Sequence, residues 1–275
     1  TEYTYDTNGN LTKDLNKNII SIQYNMLNLP SIVSFSDGST ITYTYGADGM
    51  KLRTVHKIGS AITTTDYLGN VVYENGVAKL LLTGYGYVSL NDKKYHYYLQ
   101  DHQGNNRVVV DSSGKVEETN HYYPFGGAFA STGNVQPYKY NGKELDAKKG
   151  LNWYDYGARM YDAALGRWHR VDPLAEKYYG ITPYNYCFDN PIKYIDPDGF
   201  QPRPARPVRR GYRNGGRPNP YAFYPGEVRP QSYRETTNFS YRGTGLRRQV
   251  PLEEQRYLQV TNTPGGNEVQ MSSGN

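Results

Sequence analysis

Three stretches near the start of the chain repeat one pattern of aromatic, polar and apolar positions. YTYDTNGNLTK from Tyr3, IQYNMLNLPSI from Ile22 and YTYGADGMKLRTV from Tyr43 stand about twenty residues apart, and self-similarity at a fixed period marks a repeat architecture. Each copy offers a Tyr-bearing strand, a polar turn with Gly or Asn, and a second strand led by an apolar residue. The pairs Asn8-Gly9 and Asp48-Gly49 predict two-residue hairpin turns, because such pairs tolerate positive φ. The same grammar returns in YENGV at 73–77, DHQGN at 101–105 and VDSSGKV at 110–116. A hairpin leaves backbone groups open on both edges, so successive hairpins are expected to pair with one another in a long curling sheet. The predicted fold class is all-β.

Composition agrees with that reading. The 275 residues include 30 Tyr against 7 Phe and 2 Trp, so nearly all the aromatic surface carries a hydroxyl. Apolar residues reach only 37% and the mean hydropathy is −0.80, which argues against the large aliphatic core of a doubly wound α/β enzyme. Tyr rings suit a half-wet pleated surface and are expected to form ladders across neighbouring strands. No apolar run approaches the roughly 18 residues of a membrane span. The chain opens TEYTY, without Met, basic n-region or apolar h-region, and reads as an internal or C-terminal piece of a longer protein.

Charge divides the chain. Residues 201–275 hold 12 Arg, no Lys or Asp, and 5 Glu, a net of +7; with +5 for the whole chain, residues 1–200 carry −2. The same segment has 9 of the 16 Pro, a composition that predicts a largely irregular, mostly disordered tail. The boundary falls at Phe200. Arg interleaved with Tyr and Phe in this tail suits phosphate contacts and base stacking, which makes nucleic acid a candidate partner. The tail has no catalytic constellation: it lacks His, Asp and Lys, and most nuclease chemistry uses His or a metal held by carboxylates.

Elsewhere the chemistry-bearing residues are sparse. Cys187 is the single cysteine, which excludes an internal disulfide and a multi-Cys zinc site. His56, His96, His102, His121 and His169 show no metal-ligand spacing. His102 is expected to sit in a turn and bond locally. No phosphate-cradling Gly loop and no Gly-x-Ser-x-Gly elbow is present, so no cofactor is implied.

Seven motifs between 98 and 199 then narrow the family: YLQDHQGNNR at 98–107, YYPFG at 122–126, YNGKE at 140–144, GLNWYDYGARMYD at 150–162, GRWHRVDP at 166–173, YNYCFDNP at 184–191 and DPDG at 196–199. In this order they resemble the RHS repeat-associated core domain, and the copy at Tyr5 to Leu11 resembles the YD repeat. The likeness divides the chain into repeat hairpins at 1–94, a core domain at 95–200 and a variable region at 201–275. It implies a β shell, of which this chain forms one end, enclosing a variable C-terminal effector segment. It further implies a bacterial, secreted or cell-surface protein of polymorphic toxin type. The upstream part of the same shell, an immunity protein or a target-cell surface would be its partners, and Tyr-lined strands that bind carbohydrate are an alternative reading.

The resemblance also implies aspartate-based self-cleavage. Asp172 in RVDP and Asp196 in YIDP match the family's paired Asp-Pro motifs, with the cut placed between Phe200 and Gln201. Two carboxylates close enough to share a proton supply a general base and a general acid. Arg167 or Arg170 is expected to hold one of them ionised, and Asp189 and Asp198 are alternative carboxylates. Phe200 stands where the family has Leu and is expected to fill an apolar pocket. Ala175 in DPLA stands where the motif has Gly, which disfavours a positive-φ turn there. Both aspartates also suit plain Asx-turns.

Overall fold

In the computed structural model the chain divides into two units, Thr1–Pro230 and Gln231–Asn275. The structure describes residues 1–205 of the first, and of the second the backbone of one hairpin, residues 259–263 and 266–270. The expected irregular tail otherwise lies outside the described residues.

Fourteen strands follow one another in an open antiparallel meander whose spatial order is the chain order. They are β1 (Tyr3–Tyr5), β2 (Leu11–Asp14), β3 (Ile19–Tyr24), β4 (Pro30–Phe35), β5 (Thr40–Tyr45), β6 (Lys51–Ile58) and β7 (Ala61–Leu68), then β8 (Val71–Glu74), β9 (Val77–Thr83), β10 (Gly86–Ser89), β11 (Lys94–Gln100), β12 (Asn106–Asp111), β13 (Val116–Tyr122) and β14 (Ala128–Thr132). The sheet runs without a break through residue 94.

The turns differ from the two-residue expectation in an instructive way. Asn75-Gly76 does join β8 to β9 directly, with φ of 51° and 78°. At Asp6, Asn25, Asp101 and Asp111 the loop is longer and closes on the side chain: Oδ1 accepts from the backbone N–H two and four residues on. The side chain replaces the cross-strand partners that the loop lacks. Gly9 and Gly104 take the left-handed position of these loops, and Asn28 takes it in the second copy with φ 55°.

A four-stranded sheet follows, β15 (Glu144–Asp146), β16 (Trp153–Asp155), β17 (Met160–Asp162) and β18 (Arg167–Trp168), and then a ribbon of β19 (Tyr194–Ile195) and β20 (Arg203–Pro204). Leu151, Trp153 and Met160 join Leu11, Ile19, Ile22, Val33, Phe35, Ile41 and Tyr43 in one core, which seats the small sheet on the large one. Around that core the charges are sorted by element. Lys17 pairs with Asp162 at 2.5 Å, and Lys51 with Glu144 at 2.8 Å and Asp155 at 2.6 Å, while His56 Nε2 is in hydrogen-bond contact with Asp146 at 3.0 Å.

A second core is built almost wholly of Tyr, where the composition suggested half-wet ladders. Tyr122, Tyr140, Tyr154, Tyr156, Tyr161 and Tyr186 are buried with Trp168 and Cys187. Burial is tolerable because each hydroxyl finds a partner. Tyr140, Tyr161 and Tyr154 donate to the carbonyls of Pro124, Phe125 and Gly126, pinning the YYPFG loop. Tyr156 and Tyr186 both donate to Asn141 Oδ1 at 2.7 Å. Among the described residues no helix is long and apolar enough to cross a membrane.

Candidate active site around two Asp-Pro turns

Asp172 and Asp196 lie 24 residues apart in sequence and converge on one guanidinium. Arg159 Nη2 is 3.1 Å from Asp172 Oδ2 and 3.1 Å from Asp196 Oδ2. Arg159 sits in the turn between β16 and β17, with Tyr156 N–H donating to its carbonyl. Its guanidinium stacks over the Trp168 ring at 4.2 Å, and its Nε donates to the Gly199 carbonyl at 2.6 Å. The side chain is fully buried, and the pairing of its Nε and Nη2 offsets much of the cost of burying the charge. Its Nη1 has no protein partner.

The arginine that joins the carboxylates is therefore neither of the two expected. Arg167 is exposed on β18, where it faces Asp162 across the ladder. Arg170 donates to the carbonyls of Leu27 and Asn28 in the second repeat turn, at 2.6 and 3.2 Å. Arg159 had a sequence signal all the same. It is the one cation within the aromatic-rich segment GLNWYDYGARMYD.

Each aspartate also caps its own turn, as the Asx-turn reading expects, while its other oxygen faces Arg159. Asp172 Oδ1 accepts from Leu174 N–H at 2.7 Å while Oδ2 faces Arg159. Ala175 opens a short 3-10 turn, Ala175–Lys177, without positive φ, so this position has no need of Gly. The second turn is different. Gly199 has φ +76°, and a Cβ there would meet Arg159 N at 2.9 Å.

Asp196 Oδ1 gathers the loop that follows it, accepting from the N–H groups of Gly199 (2.9 Å), Phe200 (3.1 Å) and Gln201 (3.2 Å). Burial raises the Asp196 carboxyl to about 6, against the opposing pull of Arg159. Cys187 lies alongside, its thiol pushed up by burial and by the Asp196 charge. Asp198 is exposed and accepts from Phe200 N–H at 3.2 Å; Asp189 is exposed on a left-handed turn. Neither contacts Arg159.

Phe200 does not fill a pocket: its side chain is 42% exposed. A small cleft does lie beside the site, lined by Asp172, Tyr178, Thr182, Asn185 and Phe188 among others, with Pro202 contributing to its wall from this loop. His102 sits in the expected turn but bonds at long range, its Nε2 lying 3.1 Å from the carbonyl of Ile192. With Gln103 on the Pro191 carbonyl, the QDHQGN turn braces the segment leading to Asp196. Among the described residues no group of three or more His, Cys, Asp or Glu side chains is placed to hold a metal ion.

No family model matches the chain. It is 31% identical over 223 residues to salivary gland surface protein 1 of Aedes aegypti, covering 71% of this chain and 6% of that protein. It is 40% identical over 101 residues to toxin subunit YenC2 of Yersinia entomophaga, covering 34% of this chain and 10% of the subunit. In structure it resembles the Photorhabdus luminescens Tc holotoxin pore, with a TM-score of 0.57 and 21% identity, over 73% of this chain and 13% of the other. This last likeness concerns the fold alone. The chain thus spans a small part of the length of the relatives it matches. With the motifs in order, the open hairpin meander and these likenesses, the chain belongs to the RHS/YD-repeat family, alongside subunits of toxins.

Proposed function

We propose that this chain is the closing end of a secreted or surface-presented RHS shell, and that it cuts its own backbone between Phe200 and Gln201 to separate a variable C-terminal segment. One observation carries the reading: Asp172 and Asp196 share one nitrogen of buried Arg159, and Asp196 touches the amide nitrogen that would leave. In the proposed hydrolysis Asp172 takes a proton from water as its oxygen adds to the Phe200 carbonyl carbon. Asp196, in its acid form, gives its proton to Gln201 N as the C–N bond breaks. The products are a carboxylic acid at Phe200, which then loses its proton to solvent, and an amine at Gln201. Arg159 positions Asp172 through its Nη2, and its unpartnered Nη1 is a donor for charge developing on oxygen.

For the shell, the support is the meander itself, whose first strand β1 is a sheet edge among the described residues and whose relatives are many times longer. Upstream strands of the same protein are the proposed partner of that edge. The division at Phe200, between a slightly acidic scaffold and an Arg-rich segment, is part of the proposal.

Intact mass of the purified full-length protein tests the reading. Two species ending and beginning at the 200/201 bond are expected for the natural sequence. One uncut species is expected for Asp172→Asn and for Asp196→Asn. A folded natural protein of full mass would overturn the cleavage.

A further inference from the structure

The sequence after the proposed cut is built to lie extended. In QPRPA, at 201–205, prolines at 202 and 204 hold φ near −65° and push Gln201 and Arg203 towards β or polyproline geometry. The segment accordingly returns as β20 against β19, with Ile195 facing Arg203 and Tyr194 facing Pro204, and Ala205 N–H donates to the Lys193 carbonyl at 2.7 Å. Pro202 is half-buried and lines the cleft beside Asp172 together with Thr182, Asn185 and Phe188. A proline brings no N–H that the apolar part of the cleft would leave unsatisfied.

Phe188 joins the two halves of this arrangement. Its ring stands edge-on to Tyr178 of the cleft wall at 5.3–5.4 Å and likewise to Tyr194 of β19. It is placed there by three successive left-handed residues, Cys187, Phe188 and Asp189, with φ of 52°, 56° and 55°. Left-handed backbone costs each non-glycine residue of order 1–2 kcal/mol, and it persists where surrounding structure over-determines it. On the other side of the cut, Phe200 leaves 42% of its surface exposed.

We propose that the cleft and β19 form a clamp for the leaving side of the cut: it grips Pro202 through Phe188 and holds 201–205 as a strand. Recognition of the cut bond then lies on its leaving side and not at Phe200, and segment 201–275 stays bound after the bond is broken. The consequences for cutting rest on the cleavage reading; the clamp itself does not.

Hydrogen exchange in the full-length chain carrying Asp172→Asn tests it with the backbone intact. The Arg203 and Ala205 amides are expected to be protected, and Phe188→Ala is expected to speed their exchange at least tenfold. Pro202→Gly, which alters only the gripped strand, is expected to do the same and guards against misfolding of the Phe188 variant. Exchange of these amides at random-coil rates in the parent, or no change in either variant, overturns the clamp. A natural-sequence protein that remains uncut defeats the cleavage reading alone and leaves the exchange result to decide the clamp.

Discussion

Asp196 Oδ1 lies 3.2 Å from the amide nitrogen of Gln201, the atom that would become an amine if the chain is cut after Phe200. Its carboxyl is raised to about 6 by burial, so it keeps a proton to higher pH than an ordinary aspartate. The acid fraction falls above about pH 6, and the cleavage rate is expected to fall about tenfold per pH unit once well above it. Timed intact-mass measurements after refolding at pH 5.5 to 8.5 check this. The stability linkage has the same sign. The folded state binds more protons than the unfolded one between the ordinary aspartate value of 3.8 and about 6, so stability declines as pH rises through that window. The urea midpoint of uncut Asp172→Asn should therefore be higher at pH 5 than at pH 7.

Arg159 holds both carboxylates and the Gly199 carbonyl. Arg159→Met leaves buried acids without their cation, a loss of about 3–5 kcal/mol. Arg159→Lys keeps the charge without the fork that reaches three acceptors, so it is expected to fold with reduced stability and to remain uncut. Denaturant unfolding and intact mass report the two effects separately.

Gly199 needs positive φ and leaves no space for a side chain, since a Cβ would meet Arg159 N at 2.9 Å. Gly199→Ala is expected to displace the loop that Asp196 holds and to slow cleavage at least tenfold, with a stability loss of order 1–3 kcal/mol. Gly114→Ala is its control. Gly114 also has positive φ, at +86°, but nothing lies within 4 Å, so cleavage should be unchanged.

Asp101 is the fullest of the side-chain-closed turns. It accepts from the N–H groups of Gln103 and Asn105, from Asn105 Nδ2 and from Arg107 Nε. Asp101→Ala removes all four and is expected to cost about 2–4 kcal/mol at roughly 1 kcal/mol per bond. Asp111, whose loop is exposed, is expected to lose clearly less stability on the same change. Urea unfolding of the two variants checks the difference.

The repeats made the meander legible, because a hairpin is a local structure and its period is written in the turns. The turn type was less legible. In YDTNGN the Asp side chain closes the loop in place of backbone partners, so Asn8-Gly9 does not form the two-residue turn that Asn75-Gly76 does. The paired aspartates were legible from their Asp-Pro motifs. Arg159 was less so, since it reaches them through the fold from a different motif, and nearness to Asp172 in sequence favoured Arg167 and Arg170. Tyr abundance suggested a wet surface because hydroxyls usually need water. Here backbone carbonyls of the YYPFG loop and Asn141 take that place, a long-range arrangement without a period in the sequence.

The most direct test of the account is folding of the full-length chain in ¹⁸O-enriched water, followed by mass spectrometry of both products. The account predicts a first fragment ending at Phe200 with one heavy oxygen in its new carboxyl group, a second beginning at Gln201, and neither from Asp196→Asn. A folded protein that stays intact, or a cut at another bond that survives Asp196→Asn, would contradict it.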